Sequence, residues 1–313
     1  MSNQEEQVIR KLERREYVRL SKPRITPMDS EEFVKLRDIA FEILKSTMNK
    51  SQWEKLEQFF AEGQKKLTPI LGKNAVGNVG RTTARNKDLY LRSTPLGIHS
   101  AVLSSLPERD REILILRIAW LCYSEYEWGW HALGGKTSGL LSDDEISRVM
   151  EGPDSEEWDP FDATLLRAVD ELFIDAFLTE EIWNALSERY NTHQLMDLVF
   201  TVGYYNMLAM ALNSFGVQQE EGLKILEILS KVMSNQEEQL MRKIEPRKHV
   251  RLSEPRIPLL ERDEYIKIRV KATEINKMTM DKSESHSAHE FFVKEDKTPF
   301  FEVGIHKYAT KNG

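Results

Sequence analysis

Leu106-Pro-Glu-Arg-Asp-Arg-Glu112-Ile-Leu-Ile-Leu-Arg117-Ile-Ala-Trp-Leu-Cys122-Tyr-Ser124-Glu-Tyr126-Glu127-Trp-Gly-Trp-His131 combines a long apolar run with charged and aromatic residues at helical intervals. Its spacing predicts one helix over 107–133. Glu127 and His131 are four residues apart and therefore share a helix face, where a carboxylate can orient and polarise an imidazole. Glu112 and Arg117 interrupt the apolar run Ile113 to Cys122, and a buried charge is costly unless it is paired or kept for function. Trp120, Tyr123, Tyr126, Trp128 and Trp130 crowd the same stretch, either as ordinary core or as the aromatic wall of a small-molecule pocket. In one straight helix Glu112 and Glu127 stand roughly 22 Å apart at 1.5 Å per residue. For them to cooperate, the chain must bend near Tyr123 and Ser124, or the groups must come from different subunits.

Outward from this segment the apolar residues keep helical steps of three and four, as in Phe33, Leu36, Ile39, Ala40 and Ile43, with Asp29 or Ser30 as N-cap and Glu31 and Glu32 at the positive end of the dipole. The same pattern predicts helices over 51–66, 87–104, 142–151, 159–177, 179–190, 192–213 and 217–231. No alternating strand stands out, so the expected fold class is all-α. Pro69 to Asn86, with Gly72, Gly77 and Gly80, reads as a long loop suited to lining a pocket. It lacks the strand-loop-helix context of a nucleotide cradle.

Bulk properties narrow the partners. The chain has 313 residues, 40% of them hydrophobic, a net charge of −7 and a pI near 5.7. That is enough to build a core and the wrong charge balance for neutralising phosphates, so no nucleic-acid partner is expected. The basic stretch Arg10 to Arg24 contains Glu13 and Glu16, a mixed-sign pattern that reads as solvated surface. No leader pattern is evident, and no run reaches the roughly 18 apolar residues of a spanning helix, so the expectation is a cytoplasmic protein with no membrane partner. Cys122 is the single cysteine, which rules out an intramolecular disulfide and a cysteine-based zinc site. It reads as a small buried hydrophobe. His286 and His289, near Glu290, fall in a polar tail and read as solvated; neither metal nor cofactor is expected.

The chain also resembles itself. Met1 to Ser51 aligns without a gap to Met233 to Ser283, with roughly 29 of about 51 positions identical, the mark of a recent duplication. Met1-Ser-Asn-Gln-Glu-Glu-Gln7 returns as Met233 to Gln239. The similarity ends after Ser283. The expected organisation is therefore a complete helical domain over 1–232 with its core at about 23–216, a truncated repeat over 233–283, and a tail of little order over 284–313.

Leu106 to Ile146 resembles the helical core of the carboxymuconolactone decarboxylase and alkylhydroperoxidase D-like superfamily. Asn78 to Arg85 and Asp197 to Asn213 resemble flanking segments of its non-redox branch, so the likeness covers about Pro23 to Gly216. The peroxidase branch carries Glu, then Cys-x-x-Cys, then His. Here Glu112 and His131 match by spacing, while Ser124 and Glu127 stand where the cysteines would be, and a dithiol cycle is impossible without thiols. The decarboxylase branch carries Glu-x-x-x-His, matched by Glu127 and His131. The resemblance implies an alkylhydroperoxidase D-like helical bundle and a homo-oligomer, trimer or hexamer. It also implies acid/base, lyase-like chemistry on a small organic acid or lactone, with no cofactor. His131, Glu127 and Glu112 are then the expected catalytic residues, and Arg117, Tyr126 and Ser124 the expected substrate contacts. A non-catalytic assembly module of the same fold and a thiol-dependent peroxidase through Cys122 are the alternatives.

Overall fold

A computed structural model describes residues 20–71 and 77–220, together with 264, 267, 268 and 271. Apart from those four positions, the repeat over 233–283 and the tail over 284–313 lie outside the described residues, as does 221–231 of the last expected helix. By backbone contacts the chain divides into two compact units. One comprises Met1–Arg37 and Asn49–Ile257, and the other Asp38–Met48 and Pro258–Gly313. The candidate site belongs wholly to the first.

Every regular element among the described residues is helical, as the periodicity predicts. In chain order they are α1 (Ser30–Thr47), α2 (Lys50–Leu71), α3 (Asn78–Thr83), α4 (Lys87–Ile98) with a π-helical turn (His99–Leu103), α5 (Glu108–Leu121), α6 (Glu125–Thr137), α7 (Asp143–Glu151), α8 (Pro160–Asp175), α9 (Glu180–Ser187) and α10 (Thr192–Phe215). Asp29 caps α1, its Oδ1 accepting from the Glu31 and Glu32 amides at 2.8 and 3.3 Å. Reciprocal capping boxes, Ser142 with Glu145 and Asn191 with Gln194, start α7 and α10. The long loop expected over 69–86 is shorter than its composition suggested, because α2 runs on to Leu71 and α3 occupies part of the rest. Residues 217–220, expected to open a helix, are not helical; α10 ends at Phe215 and Gly216 caps it in the left-handed conformation.

Helix α5 is the hub. Ile113, Leu114, Ile115, Leu116 and Ile118 are completely buried, and a helix whose consecutive residues are all buried lies in the middle of a bundle. Around it pack α6, α7, α8 and α10, contributing Trp128, Val149, Leu165, Leu166, Leu198 and Val202 to one continuous core. Helix α10 is by length and composition apolar enough to cross a membrane, contrary to the expectation that no run is. Its inner face, Leu195, Leu198, Val202, Tyr205 and Ala209, is instead buried within the bundle.

The expected helix over 107–133 is two helices. Helix α5 stops at Leu121, Tyr123 adopts a left-handed conformation with φ 53°, and α6 begins at Glu125. The Ser124 amide reaches back to the Ala119 carbonyl at 2.9 Å and the Tyr123 amide to the Trp120 carbonyl at 3.0 Å, the pair of bonds that closes a Schellman motif. Asn213 on α10 donates Nδ2 to the Cys122 carbonyl at 2.8 Å, so a carbonyl freed by the break is satisfied. A glycine normally takes the left-handed position, and a tyrosine there gives no warning in the sequence.

A second left-handed residue ends α8: Ala176, with φ 54° and ψ 31°. An L-residue with a Cβ is held there at a cost of about 1–2 kcal/mol that glycine does not incur. Ala176→Gly is expected to raise stability by about 1 kcal/mol, seen as a higher urea midpoint at unchanged slope. A lower midpoint would mean that the alanine methyl contributes packing that outweighs the strain.

Candidate functional site

The break at Tyr123 folds α6 back against α5 and brings Glu112 to His131. The His131 Nδ1 lies 2.8 Å from Glu112 Oε2, and its Nε2 lies 3.5 Å from Glu127 Oε2. One imidazole is thus gripped at both nitrogens by carboxylates from two helices. The shorter contact is the long-range one with Glu112 rather than the four-residue contact within α6. The Tyr205 ring packs T-shaped on the imidazole, with centroids 5.0 Å apart and planes at 88°. Tyr204 packs on Tyr205 in turn at 5.4 Å. The three side chains of the cluster are largely buried, 18%, 11% and 6% exposed for His131, Glu112 and Glu127.

Burial by itself pushes the His131 imidazolium down, but the Glu112 charge, the Glu112 hydrogen bond and then the Glu127 contacts outweigh it and hold the group up to about 10. His131 is therefore an imidazolium at neutral pH. Tyr205 is pushed well above its usual range by burial and by the Glu127 and Glu112 charges, and stays a phenol.

The raised His131 value links to stability with a definite sign. The unfolded histidine titrates near 6.5, so the favourable contribution is complete below that pH and is lost as pH rises toward about 10. Between those limits the wild type is expected to lose on the order of a few kcal/mol that His131→Gln does not lose. Urea titrations across that range check it; parallel slopes for the two proteins would remove the charged cluster.

Of the three expected substrate contacts, Arg117 and Tyr126 are otherwise engaged and Ser124 is buried without a partner. Arg117 is 2% exposed and forks onto Asp170 of α8, Nε to Oδ1 at 2.7 Å and Nη2 to Oδ2 at 3.0 Å, while Nη1 donates to the Val149 and Met150 carbonyls of α7. Its donors are used to tie three helices together, so it is not free to anchor a substrate. Gly152, with φ 96°, makes room for it, since a Cβ there would sit 3.0 Å from Nη2. Ser124 caps the start of α6 by position only, its hydroxyl buried and unpartnered. The Tyr126 hydroxyl accepts from the Val79 amide at 3.1 Å and donates to Glu220 Oε1 at 2.8 Å.

Glu220 is a residue the sequence reading passed over. Its carboxylate also accepts from the Asn78 amide at 2.6 Å and from Trp130 Nε1 at 2.9 Å, so residues 217–220 lie across the aromatic side of α6. Gly129 permits this, because a Cβ there would overlap the Gln219 amide, whose Nε2 donates to the Glu125 carbonyl at 2.8 Å. No periodic or motif signal marks Glu220 in the sequence. Tyr205 was equally invisible as a site residue, reading only as one more aromatic on α10.

Cys122 is half-buried, and its thiol donates to Asn206 Oδ1 at 3.2 Å. No protein-family profile matches the chain, and no curated protein is significantly similar to it. Among solved structures it is similar to an uncharacterized peroxidase-related protein from Silicibacter sp. TM1040, at 16% identity and a TM-score of 0.45, over 67% of this chain and 95% of that one. At that level of likeness the function has to be argued from the site.

Proposed function

We propose that this protein is a cytosolic acid/base enzyme of the carboxymuconolactone decarboxylase-like kind, built on an alkylhydroperoxidase D-like bundle and acting on a small organic acid or lactone. The observation that carries this reading is one imidazolium held between Glu112 and Glu127. Two carboxylates on one histidine keep the proton on the ring at neutral pH. The cluster is thus suited to giving a proton, and its carboxylates to receiving one.

In a decarboxylation, cleavage of the C–C bond releases CO2 and leaves its electron pair on the α-carbon, delocalised into a neighbouring carbonyl as an enolate. His131 gives its proton to that carbon. The ring is then recharged from water, with the two carboxylates drawing the proton back onto nitrogen. In lactone opening water adds to the carbonyl carbon and gives a proton to one of the carboxylates, and His131 protonates the ring oxygen as the acyl C–O bond breaks.

The reading includes assembly as a homo-oligomer, trimer or hexamer. Its support is an exposed apolar stripe on α10: Met196, Phe200, Met207 and Met210 are 42%, 55%, 51% and 60% exposed. Their spacing of four, seven and three residues places them on one helix face. Such a stripe on a soluble fold marks a contact surface. Sedimentation velocity tests it, and a clean monomer would remove this part.

The experiment for the activity is turnover of a panel of small lactones, carboxylated lactones and β-keto acids by wild type and His131→Ala, with a peroxide plus dithiol arm. Acid or lactone turnover that vanishes in the variant supports the proposal. Peroxide consumption that depends on Cys122 replaces it with thiol chemistry, and silence across all arms replaces it with a non-catalytic module.

A further inference from the structure

Arg111, the residue before Glu112 on α5, is 4% exposed, and its Nε and Nη1 are closed off from solvent with no hydrogen-bond acceptor. The other arginines of this helix are fully engaged: Arg109 forks onto Asp162 at 2.9 and 2.7 Å and also reaches Glu145, and Arg117 forks onto Asp170. A buried guanidinium without an acceptor works against folding, and a neutral side chain of the same length would not. Keeping it makes sense if an acceptor arrives from elsewhere.

Its position says where that acceptor would sit. The positive charge of Arg111 reaches the Tyr205 hydroxyl, where it opposes the larger effects of burial and of the Glu127 and Glu112 charges, and the Tyr205 ring packs T-shaped on His131. One turn before Tyr205 on the same face of α10 is Thr201, 1% exposed, with its hydroxyl unpartnered. Ser100, in the π-helical turn, is equally buried and unpartnered. Helix α10 packs against both α5 and that turn. Buried polar groups normally have partners, and these two hydroxyls have none.

We propose that Arg111 is the anion-binding residue of this site and takes the carboxylate of the ligand on its fork, with the rest of the ligand against His131. The inference rests on reading Glu112, His131 and Glu127 as a ligand site. Two carboxylates and one imidazolium leave that cluster with an excess negative charge that repels an organic acid, and the guanidinium cancels it. A planar carboxylate matches two adjacent guanidinium donors, which favours it over a neutral lactone carbonyl.

The test is calorimetric titration of the intact protein with glutarate and with its dimethyl ester, using wild type, Arg111→Met and Arg111→Lys. Glutarate is expected to bind wild type and the ester not to. Arg111→Met should weaken glutarate about ten- to a hundredfold, and Arg111→Lys, a point charge without a fork, by less. The ligand-free Arg111→Met protein should melt at or above the wild-type midpoint, since an unpaired buried charge has been removed.

Three results overturn the proposal. They are no glutarate binding by wild type, equal binding by wild type and Arg111→Met, or a lower midpoint with a smaller oligomer in Arg111→Met, which would place the arginine in a subunit contact. Its failure is separable from that of the acid/base reading. Binding that needs Arg111 without turnover of any substrate sinks only the chemistry, and turnover that keeps its KM in Arg111→Met sinks only the anchor.

Discussion

His131→Gln is expected to lower turnover of an acid or lactone substrate about 100- to 10,000-fold, the contribution of a positioned general acid, while leaving the fold intact. The larger test is the shape of the pH profile. With the imidazolium retained up to about 10, the wild-type rate should hold through neutrality and fall only on approaching that value. A free histidine base gives the opposite, a rate that climbs through about 6.5. Glu112→Gln removes the strongest upward pull on His131 and leaves only the longer Glu127 contact at 3.5 Å, so the alkaline limb should move down toward neutral pH. A profile that rises through 6.5 in wild type, or an alkaline limb unmoved by Glu112→Gln, would remove His131 as the acid.

Arg117→Met is expected to cost about 3–5 kcal/mol, the loss that follows when one partner of a buried ion pair is deleted and the other is left. Asp170, 19% exposed, would keep its charge without the two-pronged donor it now has, and the Val149 and Met150 carbonyls at the end of α7 would lose theirs. Arg117→Lys should recover little, because an ammonium cannot bond Asp170 at two points and the α7 carbonyls as well. Urea unfolding at neutral pH measures the effect. A variant as stable as wild type but with a raised KM would return Arg117 to the substrate-anchoring role that its place in an apolar run first suggested.

These expectations separate residues that the sequence treats alike. Arg111 and Arg117 lie six positions apart on one helix and are both buried, yet one is satisfied and the other is not. What distinguishes them is Asp170, 53 residues further along, arriving on α8 beside Arg117. The same holds for Tyr126, whose hydroxyl looked free to touch substrate. Glu220 takes it, and nothing in a span of 94 residues announces that meeting. The folding-back of α6 on α5 was legible only as a requirement, since Glu112 and His131 could meet within a chain only through a bend. Tyr123 hid the bend by taking a left-handed position usually held by glycine.

The sequence by itself determined the all-helical class, because apolar steps of three and four residues bury a stripe only on a helix. Also legible were the burial of Ile113 to Leu121 and the Glu127–His131 pair, since four residues always bring two side chains to one face. Only the tertiary structure decided that Glu112 is the histidine's closer partner, that Arg117 is structural, that Glu220 covers the aromatic side of α6, and that Arg111 waits without an acceptor. Each of these depends on which side chain a distant helix presents at a given point. That is set by the packing of the whole bundle around α5, to which every local pattern contributes a face and none contributes the pairing.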